Sequence, residues 1–270
     1  MIPLRHNIDV PEFEGQNLYM SGLAGRATGV AAAIGASRLG AKTVRIERNA
    51  YFGGQATNSM VAAFCGFFTR GDKPDQAVKG VGQDVIDRLI EKGVEYNPSP
   101  SKASGNTNVK FDPEILKIVY DELLTENNVN TLLHANLVDV KTSQGRIQTL
   151  ICSDDEGLFE IQANNYVDAS GNANLAHLAI ISTEWGDDEG LVQQSSLVFK
   201  LSGLPKRDIG MKELNEAIST WKEAGIPNLF KEKGMIIKPK EETVGYCTIP
   251  SIILKNLSSQ EKTTAELLLR

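Results

Sequence analysis

The sequence predicts an α/β fold, because segments typical of helices and strands alternate along its first half. The alanine-rich segment Gly29 to Leu39 is typical of a helix packed closely on a sheet, and Gly40 is a natural C-terminal stop. The β-branched run Thr43 to Glu47 then indicates a strand. Asp112 and Pro113 begin another helix, with Asp as N-cap and Pro in the first turn.

Length and composition set the class of protein. The chain has 270 residues, of which 41% are hydrophobic and 23% charged, enough for one large domain or two smaller ones. Its net charge is -6 without a cluster of lysine or arginine, which argues against a nucleic-acid partner. Its apolar runs are shorter than the roughly 18–20 residues that span a bilayer, and charges interrupt residues 1–14. These features predict a cytoplasmic protein without a membrane partner.

The cysteines and histidines do not form a recognisable metal or redox motif. They are Cys65, Cys152, Cys247, His6, His134 and His177. Their scattered positions contain no CxxC pair and no spacing typical of metal ligands, so we predict no metal site. We interpret Cys65, in the run FCGFF, as a small buried hydrophobic residue.

The middle of the chain continues the α/β pattern with one interruption. Asp75 to Lys92 has the spacing of an amphipathic helix, and Asn97 to Asn108 reads as a surface loop. Tyr166 to Ala169 indicates a strand that runs into a helical segment around residues 173–179. Before it, a β-meander is predicted from three strand-like segments at Leu132 to Lys141, Ile147 to Ser153 and Leu158 to Ala163.

Gly29 and Glu47 suggest a nucleotide site. In a nucleotide-binding βαβ unit, glycines let the backbone approach a pyrophosphate at the helix N-terminus, and an acid about 20 residues later accepts from the ribose hydroxyls. A GxGxxG motif ending at Gly29 would occupy residues 24–29, where Ala24 and Arg26 replace the first two glycines. Met20 to Leu23 is also a weak strand by propensity. Taken alone, Glu47 has the alternative interpretation of a solvated surface acid, and Gly53-Gly54 is usually an ordinary turn.

A longer stretch resembles a known family. Residues 29–71, with IERNAYFGGQATNSMVAAFCGFFTRG, resemble the FAD-dependent oxidoreductases that include relatives of heterodisulfide reductase A. The resemblance continues through FDPEILKIVYDELL at 111–124 and VDASGNANLAHLA at 167–179, and residues 2–10 resemble the lead-in to the first strand. Residues 11–28 do not match, and either an insertion or a locally frame-shifted stretch accounts for them.

The resemblance implies an FAD/NAD(P)-binding Rossmann-like domain with an inserted β-meander, followed by an incomplete substrate-side domain. We assign residues 1–200 to the first and 201–270 to the second, where 211–224 reads as an amphipathic helix and 248–254 as a strand. The resemblance also implies that the second domain is truncated in mid-fold. Exposed apolar edges would then favour a homo-oligomer or a missing C-terminal partner segment.

The resemblance assigns FAD as the cofactor and Glu47 as the ligand of the adenosine ribose. It implies that the Leu137 backbone contacts adenine. The full set of implied cofactor-binding residues is Gly29, Glu47, Arg48, Gly53, Gly54, Thr57, Leu137, Ala169 and Gly171.

Gln55-Ala56-Thr57 occupies the place where the disulfide reductases carry their redox cysteines, which argues against a dithiol mechanism. The implied reaction is hydride or electron transfer between flavin and an unknown small-molecule substrate. The sequence identifies no catalytic acid or base.

Two rival functions stay open at this point. The chain could be a non-catalytic fragment or degenerate flavoprotein that keeps the fold but binds FAD weakly or not at all, and Arg26 and Asn172, where the family has glycine and aspartate, favour this reading. It could also be a Rossmann protein that uses NAD(P) alone. The β-meander argues against that rival, because simple dehydrogenases continue with further βαβ units.

Overall fold

The computed structural model describes residues 18–21, 27–71, 73–101, 105–190, 192–227, 229, 233–238 and 242–270. These residues form two compact units. The first contains the described residues up to Asn58 and Cys65–Thr183, and the second contains Ser59–Phe64 and the described residues of Glu184–Arg270.

The helices and strands are numbered in chain order. The helices are α1 Ala27–Arg38, α2 Val81–Glu91, α3 Pro113–Glu126, α4 Asn174–Leu178, α5 Met211–Glu223 and α6 Ser259–Leu269. The strands are β1 Leu18–Ser21, β2 Lys42–Ile46, β3 Ala63–Phe64, β4 Ser99–Pro100, β5 Thr107–Lys110, β6 Asn130–Leu132, β7 Asn136–Ser143, β8 Arg146–Asp154, β9 Gly157–Gln162, β10 Asn165–Val167, β11 Ser195–Leu201, β12 Met235–Ile237 and β13 Gly245–Ile252.

A four-stranded parallel sheet is the centre of the first unit. Its strand order is β10-β1-β2-β6, so the short strand β1 is paired on both sides. The helix α1 connects β1 to β2, which makes a βαβ unit. Strand propensity predicted only a weak strand near Met20, yet pairing with two neighbours forms it, because strand propensity depends strongly on context.

Helices α1, α2 and α3 pack against one another. The start of α3 is as predicted: the Asp112 carboxylate accepts from the Glu114 N–H at 2.7 Å, and Pro113 follows as the first helical residue. Helix α2 begins at Val81, later than the predicted Asp75. Before it, Gln76 forms an antiparallel bridge with Phe68, and Gly80 adopts a φ of 61° that a helix cannot contain.

An antiparallel sheet, β7-β8-β9, lies in the sequence between β6 and β10. The predicted single strand from Leu132 to Lys141 is in fact two, because the chain leaves the parallel sheet after Leu132 and joins the antiparallel sheet at Asn136. His134 lies between them with a φ of 56°. The antiparallel sheet packs on the parallel one through a shared apolar cluster of Val44, Ile46, Ala135, Leu150, Cys152, Phe159, Ile161 and Leu175.

The prediction of a surface loop at residues 97–108 is wrong in part. Strands β4 and β5 pair as a short antiparallel hairpin there, and residues 102–104 lie outside the described residues. Thr107 and Val109 are buried. A composition rich in Pro, Ser, Gly and Asn predicts the turn of this hairpin but does not predict its two strands.

The second unit contains the antiparallel sheet β11-β13-β12. Helix α5, predicted at residues 211–224, packs Leu214 and Ile218 against Cys247 and Ile249 of β13. Helix α6 begins with the Ser258 hydroxyl accepting from the Glu261 N–H at 3.2 Å. Within the described ranges, no helix has the length and apolar character needed to cross a membrane.

Candidate functional site

The C-terminal ends of the four parallel strands meet at one edge of the sheet. Ser21 is the register partner of both Arg45 and Val167, and Arg45 is the partner of Thr131. Because α1 follows β1, the N-terminus of this helix lies at the same edge, where open α/β sheets bind ligands. The positions Ala24, Gly25 and Arg26 of the altered glycine motif lie outside the described residues.

Glu47 follows the last residue of β2 at this edge and is completely buried. Its Oε1 accepts from the Asn49 backbone N–H at 3.0 Å and from Asn49 Nδ2 at 2.7 Å. Its backbone N–H donates to Leu132 O at 2.8 Å, and its carbonyl accepts from the Ala135 N–H at 3.1 Å. The alternative that Glu47 is a solvated surface acid is therefore wrong.

The second carboxylate oxygen of Glu47 has a different environment. Its Oε2 lies 3.6 Å from Arg45 Nη2, and both side chains have 0% exposure. Within the described part of the chain, no donor forms a hydrogen bond to this oxygen. Glu47 therefore keeps one buried oxygen that faces a positive charge and can still accept hydrogen bonds.

Arg45 is held at the same position by several contacts. Its Nη1 donates to Ile46 O at 2.6 Å, and its Cζ lies 5.5 Å from the centre of the Phe52 ring. Burial lowers the pKa of Arg45 to about 10, and the nearby Glu47 carboxylate opposes that shift. The group remains a cation at neutral pH, so the site contains a buried ion pair.

Gly29 lets the first turn of α1 approach this ion pair closely. A Cβ added at Gly29 would lie 2.9 Å from both Arg45 Cζ and Arg45 Nη2, and 3.1 Å from Ala169 Cβ. Three of the sequence-predicted site residues, Gly29, Glu47 and Ala169, thus meet around Arg45.

Gly53, Gly54 and Thr57 form a second, tight turn. Gly53 has a φ of 111°, and a Cβ there would lie 2.6 Å from Thr57 Cγ2 and 2.7 Å from Tyr120 Cε2. The Thr57 hydroxyl donates to Phe52 O at 2.6 Å. Phe52 connects this turn to the ion pair, because its ring faces the Arg45 guanidinium. Gly53 and Thr57 are buried in this turn.

The Tyr120 side chain packs against this turn at Gly53. Tyr120 is 1% exposed, and its hydroxyl has no hydrogen-bond partner among the residues that the structure describes. Burial raises the pKa of Tyr120, so the phenol stays protonated at neutral pH.

The other predicted site residues lie farther along the chain. Leu137 is half-buried, pairs with Cys152 and packs against the shared apolar cluster. Arg48 is exposed. Gly171, with a φ of 84°, is exposed in the turn after β10.

The turn after β10 is fixed by side-chain hydrogen bonds. Asp168 accepts from the Ser170 N–H at 2.9 Å through Oδ1 and from the Ala176 N–H at 3.0 Å through Oδ2. The Ser170 hydroxyl accepts from the Asn174 N–H at 2.7 Å. These contacts hold Ala169 in place beside Gly29.

Sequence reasoning missed Arg45 and Asn49. The signal for Arg45 was present, because a charged residue inside the buried strand sequence KTVRI requires a partner. The interpretation of Cys65 as buried is wrong, since this cysteine is exposed. Across the described ranges, no group of three or more His, Cys, Asp or Glu side chains could hold a metal ion.

Three solved structures with a similar fold are distant in sequence. A geranylgeranyl bacteriochlorophyll reductase-like protein from Thermoplasma acidophilum has a TM-score of 0.52 and 15% identity over 94% of this chain and 60% of its own. CabE, an aromatic hydroxylase from angucycline biosynthesis, has a TM-score of 0.52 and 9% identity over 93% and 48%. L-proline dehydrogenase from P. horikoshii has a TM-score of 0.51 and 12% identity over 93% and 75%.

The chain thus spans less than two thirds of the reductase-like protein and of the hydroxylase. At these identities the similarity concerns the fold alone. Among curated proteins, no sequence matches this chain significantly.

The family comparison covers almost the whole chain. Residues 24–265 match the family described as FAD dependent oxidoreductase. This range includes every residue that the sequence resemblance assigned to FAD binding. The chain therefore belongs to the FAD dependent oxidoreductase family, whose cofactor is FAD.

Proposed function

We propose that this chain is an FAD-dependent oxidoreductase that transfers hydride or electrons between flavin and an unknown small molecule. The observation that carries the proposal is the Glu47 carboxylate, which is completely buried where β2 ends and keeps one oxygen without a hydrogen bond among the described residues. Membership of the family supports it. On the motif IERNAYFGGQATNS we also propose a nearer relation to heterodisulfide reductase A.

The residues present fit the adenosine end of FAD. A ribose offers two hydroxyl donors, and Glu47 Oε2 is a buried acceptor without a donor within the described ranges. The close approach of α1 at Gly29 brings the helix N-terminus to the same edge, where it favours negative charge. We assign Glu47, Gly29 and Ala169 to the adenosine side of a Rossmann-like site.

The tight turn of Gly53, Gly54 and Thr57 would hold the other half of the cofactor. Hydrogen bonds within the turn, from the Ala56 N–H to Gly53 O and from the Asn58 N–H to Gly54 O, and the buried Thr57 hydroxyl fix its shape. When bound, FAD supplies the hydride or electron transfer at its flavin ring. The protein residues bind and orient it and exclude water from it.

The cysteines do not supply a second redox centre in the described structure. Cys65, Cys152 and Cys247 are all free, and Cys152 and Cys247 are buried. The turn itself contains Gln55 and Ala56 where a reductase of the dithiol type needs thiols. We therefore propose direct exchange between flavin and substrate.

One observation favours a second candidate, a non-catalytic member of the fold. Arg45 and Glu47 are fully buried and oriented toward each other, so the carboxylate is neutralised within the protein. A carboxylate occupied in this way would attract ribose hydroxyls less strongly than an uncompensated one. In this candidate the pair only stabilises the fold, and FAD binds weakly or not at all.

Anaerobic reduction of the FAD-loaded chain separates the two candidates. The chain is incubated with FAD, desalted and titrated with small-molecule hydride donors while the visible flavin band is monitored. The proposed function predicts retained flavin that is bleached by at least one donor class and recovers with an acceptor. Glu47→Gln should retain much less flavin, whereas the matched exposed variant Asp155→Asn should retain as much as the wild type. Equal loading of both variants would contradict the assignment of Glu47.

A further inference from the structure

We infer that Arg45 is a positioning residue for the ribose-binding carboxylate, and this inference rests on the proposed function. Arg45 has a charged side chain with 0% exposure, and in the parallel sheet it is the register partner of Ser21 in β1 and of Thr131 in β6. A buried guanidinium is costly unless it is paired, so its presence inside a buried strand requires a specific partner. Glu47 is the carboxylate that forms an ion pair with it, with Oε2 lying 3.6 Å from Arg45 Nη2.

The two carboxylate oxygens of Glu47 have different contacts. Asn49 saturates Oε1 with two hydrogen bonds, at 3.0 Å and 2.7 Å. Arg45 faces Oε2 at a distance longer than a hydrogen bond, so it contributes charge without using the lone pairs. Oε2 therefore lies in a buried site beside a positive charge and remains available to the hydroxyl donors of a ribose.

The position of Arg45 is itself fixed from three sides. Its Nη1 donates to Ile46 O, its Cζ faces the Phe52 ring, and Gly29 of α1 lies so close that a Cβ would contact the guanidinium. These contacts leave the guanidinium little freedom to move away from Glu47. The orientation of the ribose acceptor thus depends on Arg45, although Arg45 need not touch the ligand.

The test compares how strongly the chain distinguishes AMP from 2′-deoxy-AMP, each measured as a competitor of bound FAD. A hydrogen bond to a charged acceptor gives the wild type a preference for AMP of about tenfold or more. Arg45→Met should reduce this preference to nearly one, and Arg45→Lys, which keeps the charge, should restore part of it. Arg146→Met, which removes an exposed arginine from β8, is the matched control and should keep the full preference.

A merely structural role would lower thermal stability without changing this preference. If Arg45→Met is too unstable to purify, the double variant Arg45→Met with Glu47→Gln removes both charges and is compared with Glu47→Gln alone. Equal FAD affinity of these two chains supports the inference, because Arg45 then acts only through Glu47. A weaker double variant, or an Arg45→Met chain that keeps the wild-type preference, overturns it. A folded wild type that binds no FAD overturns the proposed function as well.

Discussion

The Arg45 guanidinium lies directly against Gly29, so that a Cβ at Gly29 would be 2.9 Å from Arg45 Cζ. This relationship joins the start of α1 to the end of β2 at the edge of the sheet where Glu47 is buried. It explains why this position in a helix is a glycine, although glycine costs a helix interior roughly 0.5–1 kcal/mol relative to alanine.

Replacing Gly29 with alanine should therefore destabilise the protein. The added methyl group would displace a guanidinium that has no exposed space to enter, and overpacking of this kind costs about 1–3 kcal/mol. Gly35→Ala in the same helix is the matched control, since nothing lies within 4 Å of its Cβ position. Gly35→Ala should be stabilising by about 0.5–1 kcal/mol. Urea unfolding measures both changes, and a stabilising Gly29→Ala would contradict the packing described here.

Gly53 should tolerate alanine even less. Its φ of 111° is rarely adopted by other residues, and its Cβ would also lie 2.6 Å from Thr57 Cγ2 and 2.7 Å from Tyr120 Cε2. Gly71 has a similar φ of 129° but nothing within 4 Å of the Cβ position. Gly71→Ala should lower the free energy of unfolding by about 1–3 kcal/mol, which is the backbone strain alone. Gly53→Ala should lower it by that strain plus about 1–3 kcal/mol from overpacking. Equal midpoints of chemical unfolding for the two variants would show that Gly53 is not crowded.

The three cysteines should differ sharply in alkylation. Burial raises the pKa of Cys152 to about 12 and that of Cys247 to about 11, whereas Cys65 is exposed, with a pKa that partial burial raises. Thiolate is the reactive form, so iodoacetamide should label Cys65 slowly in the native protein and reach the other two only after unfolding. Mass spectrometry of tryptic peptides identifies the labelled residue. Native labelling of Cys152 would mean that the core of the first unit opens more easily than its packing indicates.

An ion network between α2 and α3 should make stability depend on acidic pH. Hydrogen bonds from Lys92 and Arg88 lower the pKa of Glu122, and a hydrogen bond from Arg88 lowers that of Glu126, both below the ordinary value of 4.5. A carboxylate with a lowered folded-state pKa stabilises the protein above its unfolded pKa and loses that contribution as the pH falls below it.

Arg88→Met should therefore lower the melting temperature slightly at neutral pH, and the difference from wild type should shrink as the pH falls below 4.5. The effect should also shrink at about 1 M salt, where the screening length is about 3 Å. Thermal unfolding monitored by circular dichroism across this pH range measures it. A difference that is independent of both pH and salt would indicate lost packing rather than lost charge.

The sequence predicted the elements whose signals are local. The alanine-rich helix α1, the Asp112-Pro113 start of α3 and the amphipathic helix α5 are confirmed, because helix propensity, capping and periodicity act within a few residues. The predicted start of helix α2 is too early. The apolar spacing already includes Val78, but Gly80 separates that residue from the helix.

Features that depend on distant contacts were harder to predict. Strand β1 exists because β2 and β10 pair with it, and the division between β6 and β7 depends on which sheet each half joins. At the site, the position of Glu47 after a strand predicted its role. The role of Arg45 depends on Gly29 of α1, which is distant in sequence and lies against the guanidinium, and on the ion pair with Glu47. The assignment of the site residues to FAD contacts stays a prediction.

The visible absorbance spectrum of the purified chain, recorded before and after incubation with excess FAD and desalting, tests the central claim most directly. The account predicts retained flavin in the wild type and a marked loss in Glu47→Gln, since a buried acceptor for the ribose hydroxyls disappears with the charge. Circular dichroism of each sample confirms that it is folded. A folded wild-type chain that retains no flavin would contradict the proposal that this edge of the parallel sheet is a cofactor site.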